Sequence, residues 1–399
     1  MEEKNLQPRI QLLDVIRGLC LFGILQANLL IFQYGVFGKD ELELFSPHSV
    51  DWFSYYVVKI FIEGSFMPIF AFLFGYGMVI MRERSLSADQ KPKRKLLRRF
   101  LLLIILGYLH GTFIWEGDIL LTYGIAGLLL LMFVGRHSKT LLIWSITLLS
   151  LSTLLGYGAN DMSELDISGL KEYIGLANVT YSEGTYSEIN QFRNEIIPFE
   201  YLGIPDEALL LMALLMPLMI APLFLFGMYA AKKQWFTVPS AERRMYKKGL
   251  FLIPVALLAK SLYFIFPEVH WLGMFSLLGA NLLALGYIFL IAFLYEKTAH
   301  ASSLFQGAAS VGKLSLTNYL IQSIVCTLIF YGYGLGLYGK LGVTLGLLLG
   351  IGLFLLQMLA SRYYLKKWKY GPFEYLLRTF TYWSFIKKTK SNEHTKETA

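Results

Sequence analysis

Long apolar runs separated by short polar joints dominate the chain, and this pattern predicts a protein that crosses a membrane repeatedly. A bilayer core of about 30 Å takes about 20 residues of helix, and the predicted spans are 12–36, 52–81, 97–115, 118–135, 139–157, 207–231, 247–266, 270–295, 311–332 and 341–361. Apolar positions are continuous within each run, whereas a transmembrane barrel would alternate. We therefore expect an all-α, polytopic integral membrane bundle of about ten transmembrane helices, forming one unit over residues 1–370.

Charges along the chain predict the orientation of this bundle. The joints after the second, fourth and sixth spans and the segment after the tenth are rich in Lys and Arg, which marks cytoplasmic loops. The segment 158–207 instead carries ten acidic side chains against Lys171 and Arg193. We expect an external loop at about 158–206, with both chain ends in the cytoplasm.

Composition supports a membrane location over a soluble one. Only 16% of the residues are charged, against about 25% in soluble domains, and mean hydropathy is +0.52. The net charge of +8 follows the topology rather than forming a nucleic-acid patch. We expect a multi-pass protein of the bacterial plasma membrane, with membrane lipids and no nucleic acid as partners. Cys20 and Cys326 lie in apolar runs, so no disulfide is expected, and no metal-site motif is present.

The end of the chain and two glycine patterns predict packing. Gly371-Pro372 interrupts the chain before an aromatic-rich segment, and we expect an amphipathic interfacial helix on the cytoplasmic side at 371–388, followed by a disordered tail at 389–399. Glycines at 342, 346 and 350 allow a close helix approach, within the chain or in a homodimer. The motif Phe-Leu-Phe-Gly occurs at 72–75 and again at 224–227, too short an echo to establish a duplication.

Polar side chains inside the first span are the first functional candidates, because such groups are costly in a membrane. Asp14 and Arg17 are three residues apart, so they share a helix face and can pair. They serve either a binding site or the topology alone. Asn28 lies three turns further along the same span. It is either functional or a hydrogen-bonding contact between helices.

A second group surrounds the turn between the third and fourth spans. His110 lies in the outer third of the third span, Glu116 and Asp118 occupy the turn, and Tyr123 lies inside the fourth span. A histidine at this depth near carboxylates is typical of a general base oriented by an acid. The alternative is a structural histidine bonded to a backbone carbonyl.

A third group forms a polar stripe in the ninth span. Ser315, Asn318 and Gln322 are spaced at i, i+3 and i+7 and therefore lie on one helix face. Such a stripe faces the bundle interior or a water-filled cavity rather than lipid. A packing seam between helices is the alternative.

Several motifs resemble those of the YeiB-like bacterial membrane proteins, long labelled as of unknown function. They are RIQLLDVIRGLCLFGILQANLL, FLFGYG, HGTFIWEGDILLTYG, GKLSLTNYLIQS, YGYGLGLYG and GPFEYLLRTFTYW. The family is distantly similar to the transmembrane acyltransferase superfamily, which has an arginine followed eleven residues later by histidine or asparagine. Arg17 and Asn28 match the asparagine form. The histidine that does the acyl chemistry in the other form is absent there, so we assign the base to His110 instead.

The resemblance implies an acyltransferase-like protein that moves an acyl group from a cytoplasmic donor, such as acyl-CoA, to an envelope acceptor on the outer side. In this hypothesis His110 is the base, Asp118 holds its tautomer, and Asn28 or Asn318 stabilises the oxyanion. Donor or substrate binding is assigned to Arg17, Asp14, Asn318, Gln322, Ser315 and Tyr123, with part of a basic rim at Arg94, Lys95, Arg98 and Arg99. The alternative is a transporter of a lipid-like or small organic solute, which the same polar stripes and His110 would serve.

Overall fold

The computed structural model describes residues 10–158, 167–298 and 302–383, and within these ranges the chain is helical without a β-strand. The α-helices, numbered in chain order, are α1 (Gln11–Gly38), α2 (Ser49–Val57), α3 (Phe66–Ser87), α4 (Pro92–Phe113), α5 (Leu120–Leu129), α6 (Ser138–Leu154), α7 (Ile167–Glu183), α8 (Tyr186–Glu195), α9 (Pro198–Tyr201), α10 (Asp206–Lys232), α11 (Pro239–Gly249), α12 (Leu252–Ile265), α13 (Leu272–Thr298), α14 (Ser303–Lys313), α15 (Ser315–Phe330), α16 (Val343–Lys367) and α17 (Pro372–Tyr382).

Seven helical stretches in the described ranges are long and apolar enough to cross a membrane. They are Gln11–Gly38, Ser49–Ser87, Pro92–Phe113, Leu215–Lys232, Pro239–Ile265, Leu272–Thr298 and Val343–Lys367. The apolar helices α5 and α6 match the predicted fourth and fifth spans but are shorter. The chain is thus an all-helical membrane-type bundle, as predicted, while the number of ten crossings and their orientation stay predictions.

The predicted ninth span differs most from the structure. Instead of one straight helix at 311–332, α14 and α15 meet at a bend of 88°. The reason is the close crossing of α14 with α1, where a Cβ atom on Gly18 would lie 1.9 Å from the Ala308 carbonyl oxygen and one on Gly312 would lie 1.9 Å from that of Asp14. The two backbones touch through these glycines, and α14 turns away from α15 to make that contact.

The two copies of the Phe-Leu-Phe-Gly motif pack against each other where α3 crosses α10. A Cβ atom on Gly75 would lie 1.8 Å from the Phe224 carbonyl oxygen, and one on Gly227 would lie 1.9 Å from that of Phe72. Because each glycine lacks a side chain, the backbone of the first residue of the other motif can lie directly against it. The sequence echo corresponds to a reciprocal contact, although its four residues still do not establish a duplication.

The glycine stripe of α16 packs against α1 of the same chain. A Cβ atom on Gly346 would lie 2.2 Å from Gln33 Nε2, and one on Gly350 would lie 2.5 Å from Leu29 Cδ1 and 2.8 Å from Gln26 Oε1. The predicted close helix approach is therefore present, but it is intramolecular. A homodimer stays a prediction, and it would need a different surface.

The polar segment at about 158–206 contains α7, α8 and α9, which the sequence analysis did not predict; residues 159–166 lie outside the described ranges. The side chain of Arg193 on α8 donates to the carbonyl oxygens of Thr112 and Ile114, each at 2.9 Å. These bonds attach the segment to the end of α4. At the other end of the bundle, α17 occupies part of the predicted interfacial segment, whereas residues 384–388 and the tail at 389–399 lie outside the described ranges.

Candidate functional site

A cavity of about 330 Å³ lies between α1, α3, α4, α15 and α17. Most of its wall is apolar, with Phe70, Phe74 and Met78 from α3 and Phe100 and Leu103 from α4. The α14–α15 bend contributes Lys313 and Ser315, of which Ser315 is the one member of the predicted polar stripe that lines the cavity. The cavity therefore has room for an apolar chain beside a polar end.

Five cationic side chains collect at that polar end: Arg17, Arg84, Arg99, Lys313 and Arg378. Two acidic side chains accompany them, and both are engaged. Asp14 pairs with Arg17 at 3.1 Å, as predicted, and Glu374 accepts bonds from α15. Arg99 has no hydrogen bond or ion pair with any described residue. The excess of positive charge beside an apolar wall fits an anionic amphiphile.

The amphipathic helix α17 covers the polar end of the cavity. Glu374 binds the start of α15, accepting from the backbone N–H groups of Leu316 (2.7 Å) and Thr317 (3.0 Å) and from the Thr317 hydroxyl (2.6 Å). These donors belong to the first turn of α15, where N–H groups lack partners inside the helix. Arg378, one turn later, lies over the Tyr370 ring at 4.4 Å. The helix therefore supplies both an attachment and a cation to the site.

The opposite end of the cavity is formed by Ile119 and Tyr319. The Tyr319 hydroxyl accepts from the Ile119 N–H at 3.2 Å, and the Tyr319 ring lies 5.3 Å from the His110 ring, centroid to centroid. Ile119 directly follows Asp118 in the chain. The inner end of the cavity is therefore separated from His110 and Asp118 by one side chain, that of Tyr319.

His110 and Asp118 form a buried pair, with His110 Nδ1 2.8 Å from Asp118 Oδ1. The second carboxylate oxygen accepts from the Leu121 N–H at 2.7 Å, which fixes the carboxylate. His110 Nε2 is buried and has no hydrogen-bond partner in the described part of the chain. A carboxylate on Nδ1 favours the tautomer with its proton there and leaves Nε2 able to accept one. The two residues expected to act together are in contact.

Glycine makes this arrangement possible. A Cβ atom on Gly107 would lie 2.2 Å from the Leu121 nitrogen and 2.7 Å from Asp118 Oδ2. Any larger residue would push α5 and the carboxylate away from α4. The His110–Asp118 distance therefore depends on the close packing of these two helices.

Four other candidates lie away from the cavity. Asn318 donates to Ser361 Oγ at 3.0 Å and to the Val311 carbonyl oxygen at 3.3 Å, and Gln322 donates to Gln357 Oε1 at 2.8 Å. Both belong to a hydrogen-bonded seam between α15 and α16. For these two residues, the structure therefore matches the packing seam that the sequence analysis gave as the alternative to a cavity-facing stripe. The Tyr123 hydroxyl donates to the Met67 carbonyl oxygen at 2.6 Å. Asn28 is half-buried on α1 and makes no hydrogen bond with a described residue.

Five residues of the site were not singled out by the sequence analysis: Arg84, Lys313, Tyr319, Glu374 and Arg378. Tyr319 was missed because a stripe at i, i+3 and i+7 omits position i+4. The sequence of α17 does carry a signal for its two charged residues, since Glu374 and Arg378 are four residues apart on one face. Lys95 and Arg98 of the predicted rim instead stack on Tyr382 and Trp383, at 4.6 and 4.8 Å from the ring centroids.

No group of three or more His, Cys, Asp or Glu side chains is placed to hold a metal ion within the described ranges. The expected absence of a metal stays a prediction. Acyl-CoA as a donor likewise stays a prediction.

Comparison with known proteins finds bacterial relatives that are named as uncharacterized. Residues 230–384 match the family described as "Protein of unknown function (DUF418)". The "Uncharacterized protein YxaH" of Bacillus subtilis is 34% identical over 414 residues, covering 97% of this chain and 99% of that protein. The "Uncharacterized protein YeiB" of Escherichia coli is 25% identical over 391 residues, covering 92% and 95%. No solved structure matches.

Proposed function

The chain belongs to the YeiB-like, DUF418 family, and from this premise we propose that it is a membrane-embedded acyltransferase of the bacterial plasma membrane. It would move an acyl group from a cytoplasmic donor such as acyl-CoA to an envelope acceptor on the outer side. The proposal includes ten crossings with both chain ends in the cytoplasm, which puts the cationic end of the cavity on the donor side. One observation carries it: the cavity ends at Tyr319, whose ring packs beside the His110–Asp118 pair.

The cavity supports the donor half of this proposal. Its cations would bind the anionic part of the donor, and its apolar wall would line the arm that carries the acyl group. Arg99 and His110 are eleven residues apart on α4, which corresponds to about 16 Å at 1.5 Å per residue. A donor bound by its charged end at Arg99 would thus extend its acyl group across much of the bilayer toward Tyr319.

The His110–Asp118 pair supports the chemical half. His110 Nε2 takes the proton of an acceptor hydroxyl, and the hydroxyl oxygen forms a bond to the thioester carbonyl carbon of the donor. The carbon–sulfur bond then breaks, and the leaving sulfur receives the proton that His110 returns. Asp118 keeps the imidazole in the required tautomer. We assign to Tyr319 the oxyanion role first given to Asn28 or Asn318, because Tyr319 lines the cavity beside His110, whereas the Asn318 amide is engaged in the seam.

The test compares envelope lipids and surface glycans of a strain lacking the gene with the same strain carrying wild-type, His110→Ala or Asp118→Asn protein. We expect the deletion to remove an acylated component and neither variant to restore it, since a general base contributes about 10²–10⁴-fold in rate. His137→Ala, which changes an exposed histidine ahead of α6, is the control and should restore it. Membrane levels of each variant are measured by immunoblot.

Two results would count against the proposal, each in its own way. If deletion leaves every acylated lipid and glycan unchanged, the protein is not an acyltransferase of the envelope. If deletion removes a component that His110→Ala restores, acyl transfer stands but His110 is not its base.

Transport of a lipid-like or small organic solute is the second candidate, and the bend of 88° between α14 and α15 favours it. Transporters commonly bind their substrates at broken helices, and Ser315 at this bend lines the cavity. A Ser315→Cys variant distinguishes the two functions, because Cys20 and Cys326 are buried and give little background. Labelling by an impermeant thiol reagent from the cytoplasmic side alone favours the enzyme, and labelling from either side favours the transporter.

A further inference from the structure

The polar end of the cavity holds more positive than negative charge. Five cationic side chains line the cavity against two acidic ones, Asp14 and Glu374, so three positive charges are in excess. Both carboxylates are already engaged, Asp14 with Arg17 and Glu374 with the first turn of α15. Like charges repel strongly when they are held together beside an apolar wall. The arrangement therefore indicates an anionic ligand that balances them.

Two arginines of this group, on different helices, have hydrogen-bond donors that the described residues do not use. Arg99 on α4 makes no hydrogen bond or ion pair with a described residue. The positive charges of Arg17 and Arg378 act on the Arg99 guanidinium, and the negative charge of Glu374 opposes them, so these side chains lie near one another. Arg378 on α17 has a buried Nε without a hydrogen-bond partner in the described part of the chain. One ligand in the cavity can therefore accept from both arginines.

Aromatic rings, rather than an acid, hold the Arg378 side chain in place. Its guanidinium carbon lies 4.4 Å from the Tyr370 ring centroid and 5.6 Å from that of Tyr382, and both tyrosines line the cavity. Contacts of a guanidinium with ring faces position the group without using its N–H donors or neutralising its charge. Arg378 is therefore positioned beside the cavity with its hydrogen-bonding capacity available to a ligand.

The number of donors and the excess charge favour a diphosphate over a carboxylate. Each guanidinium presents its N–H donors in a planar fork that suits two-point contact with phosphate or carboxylate oxygens. A carboxylate has two oxygens, enough for one such contact, and a single negative charge. A diphosphate has more unbridged oxygens and more than one negative charge, so it can accept from two arginines at once and offset more of the excess.

We propose that Arg99 and Arg378 bind one diphosphate group between them, so that the ligand connects α17 to α4 and holds α17 over the cavity. Glu374 attaches the same helix to α15 one turn earlier, and the ligand adds the second attachment. The inference rests on the proposed function in one respect: the diphosphate would belong to the acyl donor. Two kinds of molecule carry this group beside an apolar portion, a soluble thioester of the acyl-CoA type and a membrane lipid with a diphosphate headgroup.

Calorimetric titration of the full-length protein in micelles of an uncharged detergent tests the class of ligand. Inorganic diphosphate is the probe, and citrate, which carries a similar negative charge on carboxylates, is the comparison. We expect diphosphate to bind saturably and citrate to bind at least about tenfold more weakly, the effect of lost hydrogen bonds to a charged group. Octanoyl-CoA and farnesyl diphosphate then distinguish the two sources. Tighter binding of octanoyl-CoA supports the donor, and tighter binding of farnesyl diphosphate would retain the site but reject its place in acyl transfer.

Hydrogen–deuterium exchange tests the connection between the two helices. We expect diphosphate to slow exchange along α17, and we expect Arg99→Gln to abolish this slowing although Arg99 lies on α4. Without ligand, α17 should exchange in Arg99→Gln as in wild type, which separates a lost ligand from a loosened helix. Arg378→Gln should weaken diphosphate binding at least about tenfold. Arg244→Gln, which changes an exposed arginine on α11, is the control with the same loss of charge and should behave as wild type.

Three results would overturn the proposal: citrate binding as tightly as diphosphate, unchanged exchange in α17 on addition of diphosphate, or slowing that persists in Arg99→Gln. Inorganic diphosphate carries no acyl group, so its binding is independent of catalysis. Diphosphate binding together with unchanged envelope acylation in the deletion strain would retain this site and reject acyl transfer. Absence of diphosphate binding, together with loss of an acylated component on deletion, would retain acyl transfer and reject this site.

Discussion

At the scale of single residues, glycines determine how closely the helices pack. Gly75 and Gly227 each face a carbonyl oxygen of the other's motif at less than 2 Å from a hypothetical Cβ atom. No rearrangement of a flexible side chain can relieve such a clash, because the obstacle is backbone. The crossing of α3 and α10 therefore requires glycine at both positions.

This requirement predicts the effect of Gly75→Ala. Overpacking of a close contact costs about 1–3 kcal/mol, so we expect a lower midpoint of thermal unfolding in detergent micelles. Gly77→Ala is the matched control on the same helix, because nothing lies within 4 Å of its Cβ position. Alanine there should be neutral or stabilise by about 0.5–1 kcal/mol. Equal midpoints for the two variants would contradict the described crossing.

The sequence predicted contacts at this scale only where the chain itself brings residues together. Asp14 and Arg17 pair because residues three apart share a helix face, and a short turn between two spans returns Asp118 to His110. Asn318 and Gln322 were placed on an interior face, but whether that face met a cavity or α16 depended on a helix far along the chain. Tyr319 was missed for the same reason, since its neighbours come from the α4–α5 turn.

At the scale of elements, α17 and α15 depend on each other. The Glu374 carboxylate accepts hydrogen bonds from two backbone N–H groups and one hydroxyl at the start of α15. Because α15 begins directly after the bend, no preceding helical turn supplies carbonyl oxygens for these N–H groups. Gly371 is needed beside it, because a Cβ atom there would lie 2.2 Å from Glu374 Oε2 and 2.6 Å from Thr317 Oγ1. The contact fixes the helix that covers the cationic end of the cavity.

We expect Glu374→Gln to loosen both helices. The neutral amide loses the charge-assisted part of these bonds, and hydrogen bonds to a charged group contribute about 1.5–3 kcal/mol. Hydrogen–deuterium exchange followed by mass spectrometry should show faster exchange at Leu316 and Thr317 and along α17, with α10 unchanged. Glu43→Gln, at an exposed carboxylate, should leave exchange in both helices as in wild type. Wild-type exchange in Glu374→Gln would refute the mutual dependence.

Element by element, most helices follow from the apolar runs, and the failures have a common cause. The sequence predicted α1, α3, α4, α13 and α16 because their length and hydropathy are local properties. It did not predict α14 or the bend before α15, which arise from a backbone contact with α1. Nor did it predict α7, α8 and α9, since a polar segment outside the bilayer carries no length constraint.

At the scale of the whole molecule, two ends of opposite character follow from the helix order. Arg17, Arg99, Lys313 and Arg378 gather at one end, whereas α7 and α8 cover the turn after α4 at the other. The charge pattern predicts that the first end faces the cytoplasm. With this orientation, the proposed donor and acceptor would bind from opposite sides of the membrane.

Cysteine labelling of intact cells tests the orientation. Ser187 on α8 and Ser240 on α11 are both exposed, while Cys20 and Cys326 are buried. We expect an impermeant thiol reagent to label Ser187→Cys in intact cells and Ser240→Cys only after permeabilisation. Labelling of both in intact cells would show that the number of crossings between them, or their direction, is wrong.

The reciprocal glycine contact between α3 and α10 also has a consequence across species. Each glycine faces a backbone carbonyl oxygen of the other motif, so a larger residue at position 75 cannot be accommodated by any change at position 227. Relatives that keep this crossing should therefore have glycine at both positions, although the two are far apart in the chain. Larger residues at either position in a relative would mean that its two helices cross at a greater distance.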